Sequence, residues 1–242
     1  MVPATRDSTT IHLLKAPIEN ETEPKLVRCK VRRDNPGLYP TFTFEFQDGA
    51  DQNNLKASMV AEKHTSLSRM MQPSKFYIFD VSRVGPSRRP LLKKSSNYLG
   101  KLKRDKGKRS TFHLYNSKDP CEQVGAFIYE VKGMMEKSIG GGEPRRMTAV
   151  LPKVDENTRQ SKPSNSSWNH DLAQKWEEND GMADLMAFAS KEPQFNGDYY
   201  SLDFGKRVTR GSNKNMQLID AQGHMIYQFG RVGTDTFHLD YR

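Results

Sequence analysis

Short segments that alternate apolar and polar residues with period two run along most of this chain, and a chain patterned that way buries itself as antiparallel β-structure. From Tyr39 to Phe46, the rings of Phe42, Phe44 and Phe46 share one face while Thr41, Thr43 and Glu45 share the other. Leu26 to Arg33 sets Val27, Cys29, Val31 and Arg33 against Leu26, Arg28, Lys30 and Arg32. The same pattern predicts strands over 55–62, 75–82, 96–103, 110–116, 124–131 and 146–151, then over 199–204, 213–220, 224–229 and 236–241. Turn residues separate them, among them Asp48-Gly49, Gly85-Pro86, Asp119-Pro120, Gly140-Gly141-Gly142, Asn196-Gly197 and Gln222-Gly223. Gln222-Gly223, with a strand on either side, predicts a tight hairpin.

One helical pattern interrupts the strands. Leu172, Trp176, Met182, Leu185, Met186 and Ala189 mostly fall on one helix face, which predicts a helical connection near 171–190 that Gly181 breaks in two. The segment before it, 155–169, is rich in Ser, Asn, Lys and Pro and is expected to be a loop insertion. Residues 1–24 are polar and end in the acidic run 19–23, the pattern of a disordered tail, which leaves 25–242 as one β domain. About twelve strands, one helical connection and no internal repeat predict a mainly β fold.

Composition narrows the function classes. Only 35% of the 242 residues are hydrophobic, enough for one core with much polar loop around it. The two cysteines, Cys29 and Cys121, lie far apart, which argues against a disulfide framework or a zinc ribbon and for reduced thiols in an intracellular protein. The first residues lack the apolar run of a signal peptide, and no stretch approaches the ~20 apolar residues of a membrane span. Membrane contact is therefore expected at the surface.

Charge is concentrated. Of the net +9, the window 88–109 alone accounts for nine: Arg88, Arg89, Lys93, Lys94, Lys101, Lys103, Arg104, Lys106, Lys108 and Arg109 stand against Asp105. Such a cluster attracts anionic surfaces or polyanions. Charge alone supports a solvated basic loop equally well.

Enzyme signatures fail on inspection. The six histidines show no metal-ligand spacing, and His113, His224 and His238, each in a predicted strand, are expected to be structural. The run Gly100–Ser110 has six residues between its glycines where a phosphate-binding loop has four, and Arg109 where the metal-binding hydroxyl belongs. No nucleophile-elbow motif is present. A non-enzyme without metal or cofactor is the expectation.

The informative pair is Lys101 and Lys103. Two apart on a predicted strand, they project from one face while Leu102 points to the other. Two ammonium groups side by side can clamp two phosphates on one ring. Arg145 and Arg146, after the glycine loop, offer a bidentate third contact if their strand lies nearby.

At this point the motifs become familiar. The stretches Ser96–Lys103, Pro144–Pro152, Phe204–Gln217, Gln228–Val232 and Thr236–Tyr241 resemble the Tubby C-terminal domain in that family's order, over roughly Val27 to Arg242. Leu172-Ala173-Gln174-Lys175-Trp176 has its counterpart there too. The resemblance implies a closed antiparallel β-barrel of about twelve strands that binds phosphatidylinositol 4,5-bisphosphate at the cytoplasmic face of the plasma or ciliary membrane. It implies Lys101 and Lys103 as the phosphate grips, Arg145 as their helper, and Lys75 at a position where the family carries an asparagine. It also implies that the family's central C-terminal helix is missing from this chain, with a truncated gene model favoured over a helix from another chain or a collapsed barrel. Arg88, Arg89, Lys93 and Lys94, flanking Leu91-Leu92, are expected to provide general attraction to the membrane. A signalling or membrane-trafficking adaptor follows, with membrane receptors or trafficking machinery as partners. The alternative is a nuclear, nucleic-acid-binding or transcription-modulating protein, in which the same cations would follow a phosphate backbone.

Overall fold

The period-two segments satisfy their backbone groups on one another. A computed structural model describes residues 26–34, 40–47, 58–64, 75–81, 93–108, 110–118, 121–130, 146–153, 171–179, 182–195, 197–198 and 200–242. The strands are β1 (Val27–Asp34), β2 (Thr41–Phe46), β3 (Ser58–His64), β4 (Lys75–Asp80), β5 (Tyr98–Arg104), β6 (Thr111–Asn116), β7 (Gln123–Tyr129) and β8 (Met147–Pro152). A short helix α1 (Leu172–Glu177) and a single 3₁₀ turn (Met182–Asp184) precede β9 (Leu185–Ser190), β10 (Gln194–Phe195), β11 (Tyr200–Ser201), β12 (Met216–Ile219), β13 (Met225–Arg231) and β14 (Thr236–Tyr241). The predicted tail at 1–24 and loop insertion at 155–169 lie outside the described residues.

All strands but β10 and β11 form one antiparallel sheet. From β9 the ladders run in sequence back to β1, and β1 pairs on its other side with β14, followed by β13 and β12. The ring of pairings returns to β9 only through Leu218↔Ser190 and Ile219↔Ala189. Most other seams hold five or six residue pairs, as in Lys75–Asp80 against β3. The expectation of a closed barrel of about twelve strands is therefore corrected, because this last contact is two residue pairs and not a full ladder. The molecule is a large antiparallel sheet curled over eleven ladders, its edges meeting at a two-pair seam. The chain between β9 and β12 carries a separate two-stranded hairpin, β10–β11.

The helical connection is corrected as well. Only Leu172–Glu177 is helical, with Asp171 as N-cap accepting from the Ala173 N–H at 2.8 Å. Leu185–Ser190 is a strand, paired with β8 from Pro152↔Leu185 to Thr148↔Ala189. Its Leu, Met and Ala residues favour helix locally, but the edge of β8 offers five backbone pairings, and tertiary context overrides propensity. The predicted strand at 199–204 shrinks to β11, two residues long. The Gln222-Gly223 hairpin forms as expected: Gly223 takes φ +86°, and the Asp220 carboxylate accepts from the Gln222 and His224 N–H groups.

Each strand gives one side chain in two to each face of the sheet. On one face Met147, Ala149 and Leu218 are buried among Phe127, Tyr129, Phe188, Met216 and Tyr227. On the other, α1 lays Leu172 and Ala173 over Ala126, Val150 and Leu185. This helix-bearing face is also the face of the lysines.

A cation-lined face as the candidate functional site

Register places the site. Lys75 on β4 stands opposite Lys103 on β5, and Tyr77 opposite Lys101. Across the next ladder Lys101 faces Tyr115 and Lys103 faces His113, and His113 in turn faces Ala126 beneath α1. Paired residues share a face, so Lys75, Lys101 and Lys103 project together beside the helix. Leu102 points the other way, between Phe76 and Leu114. Opposed strand residues sit about 5 Å apart and i, i+2 residues about 7 Å apart, so three ammonium groups can converge on one small anion.

Among the described residues, none of these three lysines forms an ion pair with a carboxylate. Like charges directly opposed across a ladder disfavour the fold locally. Lys101 has partners of another kind: its ammonium lies 5.0 Å from the Tyr115 ring centre and donates to Cys121 Sγ at 3.5 Å. Lys93 folds back so that its ammonium sits 4.1 Å over the Tyr77 ring. A residue expected only to attract a membrane in general thus joins the lysine face. Lys94 is exposed in the adjoining turn. Arg88, Arg89 and Arg145 lie outside the described residues. Arg146 is described, and its guanidinium is engaged at the rim of the sheet by Glu192 at 2.9 Å and Glu130 at 3.9 Å.

The histidine expected to be structural in its strand helps hold this face in shape, through two aspartates that sequence reasoning did not connect to it. His113, 3% exposed, presents Nε2 to Asp105 at 3.3 Å and Nδ1 to Asp171 at 3.2 Å. Asp105 directly follows β5, and Asp171 caps α1, so one imidazole ties the end of the lysine strand to the helix. The three residues bring ligand-type atoms within 4.8 Å of one another. The carboxylates address opposite ring nitrogens, so a protonated ring bridges them, with the Gln123 amide also 3.1 Å from Nδ1. The hydrogen bond to Asp171 raises the His113 pKa above its ordinary value, against the effect of burial. Asp105 is held low by the Lys108 N–H, with burial opposing, and then by Gly107 and His113. For Asp171, burial pushes upward, and the His113 and Ala173 hydrogen bonds outweigh it. No spacing motif announces such a triad; its members are far apart in sequence.

The pH dependence follows in sign. His113 titrates higher when folded, so its stabilisation is fully present below about pH 6.5 and is lost as pH rises through the raised value. The two aspartates act oppositely: theirs is present above the ordinary carboxylate range and lost as pH falls through their lowered values. An NMR titration of the His113 imidazole should give a midpoint above about 6.5. His113→Gln should remove the alkaline decline in stability that begins there. A midpoint at or below the free-histidine value would discard the bridge.

The fold and the site define a mainly β protein whose sheet carries an in-register lysine face beside a capped helix. Comparison with known proteins narrows the class. The chain belongs to the Tub family, whose model matches residues 14–242. It is similar to human Tubby-related protein 3, 28% identical over 236 residues that cover 89% of this chain and 49% of that protein. It is also similar to human Tubby-related protein 1, 29% identical over 90% of this chain and 40% of that one, and to Protein king tubby 2 of Aedes aegypti, 26% identical over 90% and 52%. The chain thus spans about half the length, or less, of these relatives. No helix among the described residues is long and apolar enough to cross a membrane.

Proposed function

We propose that this protein is a peripheral phosphoinositide-binding module that recognises the headgroup of phosphatidylinositol 4,5-bisphosphate and serves as a signalling or membrane-trafficking adaptor. One observation carries the reading: Lys75, Lys101 and Lys103 share a face in strict register with no carboxylate partner among the described residues. Three point charges at neighbouring positions of two paired strands suit a multiply phosphorylated ring, and Lys93 over Tyr77 stands ready as a fourth. Each cation near an anionic leaflet adds about 1 kcal/mol, so reversible attachment needs only a few. Arg145 is the further contact expected from family resemblance.

Nucleic acid is the competing ligand for the same cations, with affinity that falls steeply as salt rises. The one described α-helix is six residues long and packed on the sheet, which leaves it no groove-reading role. Binding should be measured on vesicles of fixed total charge, with and without the bisphosphorylated lipid, and on duplex DNA at physiological salt. Lys101→Ala combined with Lys103→Ala should weaken binding to the bisphosphorylated vesicles by about a hundredfold, equivalent to two charge-assisted contacts at roughly 1.5 kcal/mol each. Unchanged lipid binding in that variant, or a preference for DNA in the wild type, would sink the assignment.

A further inference from the structure

Among the described residues, two large hydrophobic side chains stand exposed, and they stand together. Phe195, 59% exposed, and Tyr200, 37% exposed, are opposed across the β10–β11 hairpin with ring centres 5.0 Å apart. A two-residue ladder contributes little stability of its own. The two rings pack on each other and leave much of their surface to water.

Where the hairpin leaves the sheet is informative. It follows the C-terminal end of β9, where Ser190 Oγ accepts from the Met147 N–H at the start of β8. Antiparallel pairing then puts on the same rim the end of β7, the start of β6, the end of β5 and the start of β4. The end of β5 and the turn after it lie on that rim, with Lys103, Arg104, Lys106 and Lys108 against Asp105, Lys108 being paired with Glu177. On the hairpin's other side the exposed Arg210 bonds through its N–H to the Arg231 carbonyl at the end of β13, again on this rim. The hairpin's own Glu192 is occupied by Arg146. The rim on either side of the hairpin thus carries cations, while the hairpin's own turn carries the exposed Asp198.

We infer that the β10–β11 hairpin is a membrane-interface wedge: Phe195 and Tyr200 enter the headgroup region of an anionic bilayer while the rim cations contact its phosphates. Aromatic side chains with an apolar body and, for tyrosine, a polar tip partition to that depth, and anionic lipid complements the cationic rim. This rests on the phosphoinositide reading above and adds to it a second element that touches lipid and not the headgroup ring.

The two readings separate in one experiment on the full chain. Phe195→Ser with Tyr200→Ser changes only exposed positions, so folding should survive, as circular dichroism would verify. Wild type and variant are compared on phosphatidylcholine vesicles containing phosphatidylinositol 4,5-bisphosphate, and on soluble inositol 1,4,5-trisphosphate. The expected result is a loss of about tenfold or more in vesicle affinity with trisphosphate binding unchanged. Equal vesicle affinity overturns the wedge and leaves headgroup recognition standing. Loss of trisphosphate binding in the variant also overturns it, because the hairpin would then act through the headgroup site. A wild type that binds neither vesicle nor trisphosphate overturns both readings. A concentration-dependent dimer that the variant abolishes assigns the hairpin to a second copy of the chain instead, which overturns the wedge.

Discussion

Arg207→Ala should destabilise the fold by about 3–5 kcal/mol, the cost of leaving a buried charge without its partner. Asp240 on β14 is 1% exposed and receives the Arg207 guanidinium in fork geometry, Nε at 2.9 Å and Nη2 at 2.6 Å. Gln228 adds a third donor at 2.6 Å, and Arg207 also reaches the Gln47 side chain at 3.0 Å. Burial pushes the Asp240 pKa up, and the Arg207 and Gln228 hydrogen bonds more than reverse it. Through this fork the segment 202–215 is fastened across β12, β13 and β14. Gln217 continues the network, donating to the Asp203 carbonyl at 2.7 Å and to Gln228 at 3.3 Å. Arg207→Lys should recover only part of the loss, because an ammonium cannot reproduce the two-pronged contact. Asp240→Asn should cost less than Arg207→Ala, since the orphaned arginine is already partly in water. Urea unfolding midpoints of the three variants test the order. A loss under about 1 kcal/mol for Arg207→Ala would show that the carboxylate finds water or a proton at little cost.

How much of this was legible in the sequence depends on whether the deciding contact was local. Phe42, Phe44 and Phe46 announced β2 because alternation is a property of adjacent residues. Lys101 and Lys103 announced a shared face for the same reason. That Lys75 stands opposite Lys103 was not visible, because register between strands some twenty-five residues apart is fixed by pairing and not by pattern. The return of Lys93 over Tyr77 was not visible either, because it is a tertiary contact made from a turn. The Leu185–Ser190 strand was hidden by residues that favour helix in isolation; only the free edge of β8 made it a strand. The aromatic hairpin was obscured the other way, since a two-residue ladder leaves almost no alternation to detect.

Gly100→Ala should cost stability at or beyond the upper end of overpacking penalties, about 3 kcal/mol, and should disable the lysine face with it. Gly100 lies on β5 between Ile78 and Asn116, one residue before Lys101. A Cβ built there would sit 2.1 Å from the Tyr115 carbonyl oxygen, 3.2 Å from its carbon and 3.3 Å from the Asn116 Cα. All three atoms are backbone, so no rotamer change can relieve the contact, and the β5–β6 ladder itself must open. That ladder holds Tyr115 beneath Lys101 and His113 beside Lys103. Gly211→Ala is the matched control: nothing lies within 4 Å of its added Cβ, and it should leave stability within about 0.5 kcal/mol of wild type, or raise it slightly by restricting the unfolded chain. Thermal unfolding of the two variants, with trisphosphate binding measured below both transitions, separates the effects. If Gly100→Ala unfolds like Gly211→Ala, the strands do not approach as closely as 2.1 Å implies. If it is destabilised yet binds trisphosphate as wild type does, the β5–β6 register is not what positions Lys101 and Lys103.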